Sequence, residues 1–278
     1  MRIFDKAMLV DTHAHIPLII NMSSLDVTTA DSMLVHTMLQ EAQQKNVRQI
    51  VTIGTMYSDS MQNVALARAF TDVYATIGIH PTEITEQFAE HIAIFRALIT
   101  RENAAHNKIV AIGECGVDLY HKKSSLVEQQ DVFRVQIELA LEHDLSVVIH
   151  SRDAADETLR CLDEFKDSKL RGVIHCFSYD SSIAREFLQR GFVLGIGGTV
   201  TYPKNELLRD IMRQITLDDF ILETDAPFLA PQPWRGKKNH PQYVAYLAEY
   251  IAELRATTTE EVATATTRTA QKIFALVS

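Results

Sequence analysis

Short apolar runs alternate with longer amphipathic stretches along the whole chain. The apolar runs are rich in Val, Ile and Leu on both faces, which is typical of strands in a parallel sheet that is covered on both sides. The predicted strands are residues 8–12, 49–54, 73–81, 108–114, 145–150, 172–177, 192–197 and 219–224.

Helical periodicity fills most of the segments between these strands. Ser58-Asp59-Ser60 has the composition of a helix N-terminus. The predicted helices lie near 31–45 and over 125–143, 153–166, 181–190, 240–255 and 258–276. One more begins at about residue 58, and another ends at about residue 101. The last two helices follow a proline-rich loop at 226–241.

Eight strands, each followed by a helix, predict a TIM-type (β/α) barrel with an extra C-terminal helix. The simplest organisation is a single domain over residues 1–278. A doubly wound open sheet is the main alternative.

Composition narrows the class of protein. The chain has 278 residues, of which 46% are hydrophobic and 23% charged, as in ordinary globular proteins. The first residues, MRIFDKAM, lack the basic and apolar regions of a signal peptide, and no apolar run approaches the ~18 residues of a membrane span. Cys115, Cys161 and Cys176 show no paired spacing. We therefore expect a reduced, cytoplasmic protein, with a monomer as the favoured state.

The formal net charge of −9 disfavours broad coating of duplex DNA, because affinity for phosphates comes largely from Lys and Arg. An enzyme could still bind the end of a nucleic acid through a local basic patch and metal ions.

Metal-ligand residue types occur where the predicted strands end, which is where barrel enzymes keep their active sites. Alternation places Val110, Ile112 and Glu114 on one face of a strand, and likewise Val148 with His150. The candidate ligands are His13, His15, Glu114, His150, His175 and Asp225. Such nitrogen and oxygen donors suit Zn²⁺, Mn²⁺ or Mg²⁺, and six are too many for one ion. They predict two divalent ions bridged by a carboxylate.

Other polar residues near the strand ends allow more than one interpretation. His80 could contact substrate or be structural. Cys115 and Cys176 fall out of phase with the ligands and are expected to pack behind the site. Glu223, one layer deeper than Asp225, is expected to form a buried salt bridge.

Two basic stretches are candidates for substrate contacts. Arg152 could bind an anionic group or form a surface salt bridge. The loop Trp234–Asn239 holds the only Trp together with Arg235 and Lys237. An aromatic ring among cations suits a nucleotide, although a solvated charged loop is the default explanation.

Six motifs occur in order along the chain. They are DTHAH at 11–15, GIHP at 78–81, IGECGVD at 112–118, IHSRDA at 149–154, HCFS at 175–178 and LETDAP at 222–227. Together with the Arg235-Gly236-Lys237 loop, they resemble the TatD-related metal-dependent hydrolases and deoxyribonucleases of the amidohydrolase superfamily.

The resemblance implies a TIM-type barrel and assigns the ligands to two ions. One ion would be held by His13, His15 and Asp225, and the other by His150 and His175, with Glu114 bridging. The chain departs from the family pattern at the mouth of the barrel. The aromatic residue after Asp118 comes one position late, at Tyr120, and Tyr179 stands where the family commonly has glycine; the segment 199–204 is variable as well.

The hypothesis from sequence is a metal-dependent hydrolase of phosphodiester bonds that trims single-stranded DNA in the 3′-to-5′ direction. Asp225 would be the general base and Glu114 the bridging group, with His80, Arg152, Arg235 and Lys237 contacting the substrate. The alternatives are hydrolysis of a small ester, lactone or amide, since a barrel does not fix its substrate, or a partner-binding protein with structural metals.

Overall fold

The computed structural model, which describes residues 7–100 and 106–277, contains one sheet of eight parallel strands that follow one another in sequence order. The strands are β1 (Leu9–Ala14), β2 (Val47–Thr52), β3 (Val73–Ile77), β4 (Ile109–Asp118), β5 (Ser146–Arg152), β6 (Gly172–Ile174), β7 (Phe192–Ile196) and β8 (Phe220–Leu222). The predicted TIM-type barrel is confirmed.

Helices connect the strands. They are α1 (Ile16–Ile20), α2 (Thr29–Gln44), α3 (Tyr57–Ala69), α4 (Phe88–Leu98), α5 (Leu126–Glu142), α6 (Ala155–Asp163), α7 (Ser181–Gln189), α8 (Glu206–Gln214), α9 (Val244–Leu254) and α10 (Thr259–Phe274). Side chains of Thr28, Ser125, Asp180 and Thr258 accept the first free N–H groups of α2, α5, α7 and α10. The predicted helix end at Arg101 and the first six residues lie outside the described ranges. None of the helices described is long and apolar enough to cross a membrane.

Two apolar layers hold the barrel together. An outer layer packs the strands against the surrounding helices. The interior is filled by strand side chains such as Val51, Val148, Val173 and Ile221, which pack against Ile273 and neighbouring residues of α10. The α10 helix and the residues after it close the barrel end opposite the site: the Thr267 hydroxyl donates to Met8 O at 2.7 Å.

The expected alternation holds in β5, where Val148 lies inside the barrel, but it fails in β4. Val110 belongs to the interior, whereas Ile112 packs in the outer layer, so the predicted shared face of Val110, Ile112 and Glu114 is wrong. The cause is an irregularity in the pairing of β3 with β4. Ala75 lies opposite Ile109 but Thr76 lies opposite Ala111, so β4 has one extra residue before Ile112, and one such position exchanges the two faces of a strand.

The first and last strands meet at their carboxyl ends and close the barrel. The backbone N–H of His15 donates to Ala226 O at 2.7 Å, and that of Asp225 donates to His13 O at 2.8 Å. The buried Asp11 carboxylate accepts the Thr224 hydroxyl at 2.6 Å and its N–H at 2.9 Å. This closure rules out the open, doubly wound sheet.

Candidate metal centre

The six predicted ligands lie together at the carboxyl end of the barrel. His13 and His15 come from the end of β1, Glu114 from β4 and His150 from β5, while His175 and Asp225 directly follow β6 and β8. Because parallel strands all end on the same side of the barrel, residues far apart in sequence become neighbours here.

Glu114 lies between three imidazoles. Its Oε1 is 2.8 Å from His150 Nδ1 and 3.6 Å from His80 Nε2, and its Oε2 is 3.4 Å from His13 Nε2. A carboxylate whose two oxygens face different imidazoles has the arrangement that a bridging ligand needs.

Asp225 is the second carboxylate of the cluster. Its Oδ1 is 3.3 Å from His15 Nε2, 3.7 Å from His13 Nε2 and 3.8 Å from His175 Nε2. Its backbone has φ 58°, a left-handed conformation that is costly for a residue other than glycine, and the hydrogen bonds across the barrel closure hold it there.

His13 shows most clearly that a metal fits. Its side chain is 1% exposed, and within the described part of the chain neither ring nitrogen makes a hydrogen bond, the nearest carboxylate oxygens of Glu114 and Asp225 lying 3.4 and 3.7 Å from Nε2. A buried imidazole without partners is unfavourable, and a cation accounts for it. His13, His15 and Asp225 offer three ligand atoms within 4.8 Å of one another, so the residues present fit a divalent ion.

The second predicted ligand set is less compact. Two further trios of the described residues place their ligand atoms within 4.8 Å of one another, namely His13 with His175 and Glu223, and His80 with Asp118 and His150. His150 contacts Glu114, whereas His175 pairs with Glu223, so His150 and His175 do not form one such trio.

The carboxylates of the cluster are ionised. Burial opposes this, but the charge of His175 and the contacts of His13 and His150 hold the pKa of Glu114 well below its usual range. The pKa of Asp225 is likewise lowered, against burial, by the hydrogen bond with His15 and the charge of His175. The site therefore offers two negative oxygen donors among neutral and protonated imidazoles, a donor set suited to divalent cations.

Comparison with known proteins assigns the family. Residues 10–275 match the family model described as TatD related DNase. The chain belongs to the TatD-related DNase family. It is 36% identical over 267 residues to "Uncharacterized metal-dependent hydrolase YabD" of Bacillus subtilis, covering 96% of this chain and 99% of that protein. It is also 35% identical over 224 residues to "3'-5' ssDNA/RNA exonuclease TatD" of Cronobacter sakazakii, covering 78% and 83%.

The solved structure of YjjV, a TatD homologue from Escherichia coli, superposes with a TM-score of 0.84 at 29% identity, covering 97% of this chain and 98% of that one. The protein is thus a TatD-family metal-dependent hydrolase with the barrel that its sequence predicts.

In this TatD-family chain, Asp118 is a site residue that the sequence analysis did not assign. Its buried carboxylate is 2.9 Å from His150 Nε2 and accepts the backbone N–H of His121 at 2.6 Å. The hydrogen bonds from His150 and His121 lower its pKa although burial opposes them. Asp118 stands four residues after Glu114, and an acidic residue at that spacing near a strand end is the signal that could have found it.

Glu223 supports the site from the layer beneath. Its Oε1 is 2.9 Å from His175 Nδ1 and accepts the backbone N–H of Cys176 at 2.7 Å. This is the buried pair expected for Glu223. A carboxylate behind an imidazole fixes the orientation of the ring towards an ion. Cys115 is buried as expected, whereas Cys176 is partly exposed and lines the same cavity as His175.

The predicted substrate contacts have different surroundings. Arg152 lines a cavity together with His150, His175 and Asp225. The Arg235 guanidinium lies 4.5 Å from the centre of the Tyr202 ring. Lys237 is exposed. Trp234 is stacked on Tyr243 with ring centres 4.1 Å apart, which covers one face of the indole.

His80 has a defined protonation pattern. The backbone N–H of Thr82 donates to His80 Nδ1 at 3.1 Å, so a neutral ring carries its proton on Nε2. Burial, followed by the charge of His150, lowers the pKa of His80 to about 3. His80 is therefore a neutral N–H donor facing Glu114.

Proposed function

We propose that this protein is a two-metal phosphodiesterase that trims single-stranded DNA from its 3′ end. The observation that carries the proposal is the cavity of about 120 Å³ shared by Arg152 and three predicted ligands, His150, His175 and Asp225. A fixed cation beside a metal centre suits an anionic substrate such as a phosphodiester. The exonuclease name of the Cronobacter relative supports the same class of substrate.

In this proposal, His13, His15 and Asp225 would hold one ion and His150 and His175 the other. Glu114, which faces both His13 and His150, would be a ligand common to the two sets. Divalent ions at such a site supply two effects, acidification of a water molecule and polarisation of the phosphoryl oxygens. Mg²⁺, Mn²⁺ and Zn²⁺ are all compatible with these donors.

Asp225 acts as general base on the attacking water. Its lowered pKa keeps it ionised at neutral pH, and the backbone bond to His13 fixes its position. Arg152 binds a phosphate group next to the scissile one, and Arg235 and Lys237 bind phosphates further along the strand. The Nε2–H group of His80 donates a hydrogen bond to a substrate oxygen.

Hydrolysis of end-labelled single-stranded DNA tests the proposal. Metal-stripped protein is assayed with Mg²⁺, Mn²⁺, Zn²⁺ or no metal, beside Asp225→Asn. The matched control is Asp218→Asn, because Asp218 is 61% exposed and pairs with Arg268. With a 5′ label, we expect a metal-dependent ladder that shortens from the 3′ end, and about a 100-fold or greater loss of rate in Asp225→Asn alone.

Three results would contradict the proposal or a part of it. Cleavage of p-nitrophenyl esters or lactones without any cleavage of DNA would instead indicate a small-molecule hydrolase. Binding of metals without hydrolysis of either substrate class would favour a partner-binding protein. Full activity of Asp225→Asn would remove Asp225 from the role of base.

A further inference from the structure

The segment from His150 to Ala154 is fixed by the hydroxyl group of Tyr179. That hydroxyl is 2.8 Å from Ser151 Oγ and accepts the backbone N–H of Ala154 at 3.1 Å. Tyr179 lies in the loop after β6, two residues before α7, so the contact joins the end of β5, which carries His150, to the loop that carries His175.

These hydrogen bonds form a closed ring whose direction is determined by its fixed members. The Ala154 N–H can only donate, and the Thr158 hydroxyl donates to Ala154 O at 2.8 Å. Tyr179 therefore donates to Ser151, and Ser151 donates to Thr158 at 2.9 Å. Every hydroxyl in the ring has a donor and an acceptor role, so removing the Tyr179 hydroxyl leaves the Ala154 N–H without a partner.

Arg152 lies between the two residues that Tyr179 contacts. Its own carbonyl accepts the Leu119 N–H at 2.9 Å, and Asp153 next to it has φ 52°. Anchors at Ser151, Arg152 and Ala154 leave the backbone of this segment little freedom.

The Arg152 side chain is supported separately, by Tyr120. The guanidinium carbon is 5.2 Å from the centre of the Tyr120 ring, which is 61% exposed. Stacking of this kind orients a guanidinium while leaving its N–H groups free. Across residues 7–100 and 106–277, no carboxylate forms an ion pair with Arg152, so the surface salt bridge that was the alternative interpretation is not formed.

We propose that Tyr179 and Tyr120 are positioning residues that hold Arg152 where it binds a phosphate group of the substrate. Tyr179 is hydrogen-bonded on both sides of Arg152, to the Ser151 hydroxyl and to the Ala154 N–H. Tyr120 packs against the guanidinium, and Arg152 lines the cavity of the predicted ligands. The inference rests on the proposed phosphodiesterase function. It assigns to substrate affinity the two tyrosines at which the chain departs from the family pattern.

Steady-state kinetics of Tyr179→Phe on an oligonucleotide provide the main test. The substitution removes one hydroxyl and keeps the ring, which packs edge-on against Phe177 with centres 5.9 Å apart. We expect KM to rise about five- to tenfold, which corresponds to a loss of about 1–1.4 kcal/mol in substrate binding. The kcat and the bound-metal content should change less than twofold. Tyr250→Phe, which removes a tyrosine hydroxyl on α9, is the control.

The same substitution in an Arg152→Met background separates positioning from general destabilisation. If Tyr179 acts through Arg152, Tyr179→Phe has no further effect on KM once the guanidinium is gone. An equal rise of KM in both backgrounds would overturn the inference. Tyr120→Leu should raise KM and Tyr120→Phe should restore it; because Tyr120 is exposed, this pair also serves if Tyr179→Phe does not fold.

Calorimetric binding of inorganic phosphate to the metal-loaded protein distinguishes this inference from the proposed function. If DNA is hydrolysed but neither Tyr179→Phe nor Tyr120→Leu changes KM, the inference fails and the proposed function stands. If DNA is not hydrolysed but phosphate binding is weakened non-additively by Arg152→Met and Tyr179→Phe, the function fails and the inference stands. Phosphate binding that is absent, or indifferent to these variants, overturns the inference.

Discussion

The imidazole rings of His13 and His175 stack with centres 3.5 Å apart and planes inclined by 16°. Two protonated rings could not lie in this way. Burial, and then the charge of His175, lowers the pKa of His13. Although burial opposes it, the charges of Glu223 and Glu114 raise the pKa of His175 to about 10. In the metal-free protein the pair therefore carries one proton, on His175.

Metal affinity should consequently fall as the pH falls. An imidazole must lose its proton to bind an ion, and Glu114 and Asp225 are already ionised, so the histidine proton is what the ion displaces. Below pH 10, each displaced proton lowers the affinity about tenfold per pH unit. We expect this slope for Mn²⁺ between pH 6.5 and 8.5, measured from the electron paramagnetic resonance signal of the free ion. Glu223→Gln, which removes the main charge that raises the pKa of His175, should reduce the slope. A pH-independent affinity would contradict this account.

Glu114→Gln should lower the metal content of the purified protein. The amide keeps the shape of the side chain but has no charge and one oxygen fewer, while Glu114 is the carboxylate that faces both His13 and His150. We expect a loss of affinity of about 100-fold or more for at least one ion, measured by plasma mass spectrometry after dialysis. Glu142→Gln, at a surface pair with Arg96, is the control. Unchanged stoichiometry would exclude Glu114 as a shared ligand.

Gly195→Ala should disturb the support of His175. A Cβ at this position would lie 2.4 Å from Glu223 Oε2 inside the barrel, so the carboxylate must move. We expect a loss of about 2 kcal/mol in the free energy of unfolding and weaker metal binding. Gly197→Ala is the matched control, since its Cβ meets its nearest atom at 3.5 Å. Equal stability of the two variants in urea titrations would show that Glu223 has no fixed position.

Substitution of His80 distinguishes a substrate contact from a metal ligand. His80→Ala removes the Nε2 donor, whereas His80→Gln retains an N–H group at a similar reach. We expect KM for the oligonucleotide to rise about tenfold in His80→Ala and less in His80→Gln, with the metal content unchanged in both. If metal is lost from His80→Ala, His80 belongs to the trio with Asp118 and His150 as a ligand.

The barrel and the grouping of the candidate ligands could be predicted from the local pattern of apolar and polar residues. Strand–helix alternation indicates the barrel, and the strand ends then bring His13, Glu114, His150 and Asp225 together without any knowledge of loop conformation. The prediction needed only that parallel strands end on one side.

Details that depend on irregular backbone could not be predicted in this way. The irregular pairing of β3 with β4 exchanges the faces of Val110 and Ile112, and nothing in the local composition marks it. The contact of Tyr179 with Ser151 joins the end of β5 to the loop after β6, whose path is set by packing of the whole barrel. The stack of Trp234 on Tyr243 likewise depends on where α9 begins.

The closure between β1 and β8 makes the two ends of the sheet interdependent through the metal centre. His13 and His15 lie at the end of the first strand and Asp225 follows the last. An ion held by all three would therefore connect the two strands that close the barrel. Because the ion would bind only the closed form, binding of the ion would oppose local opening of the barrel at this point, and opening would favour release of the ion. Amide exchange at His15 and Asp225 should therefore report on occupancy of the site, and circular permutants would best be cut at another loop.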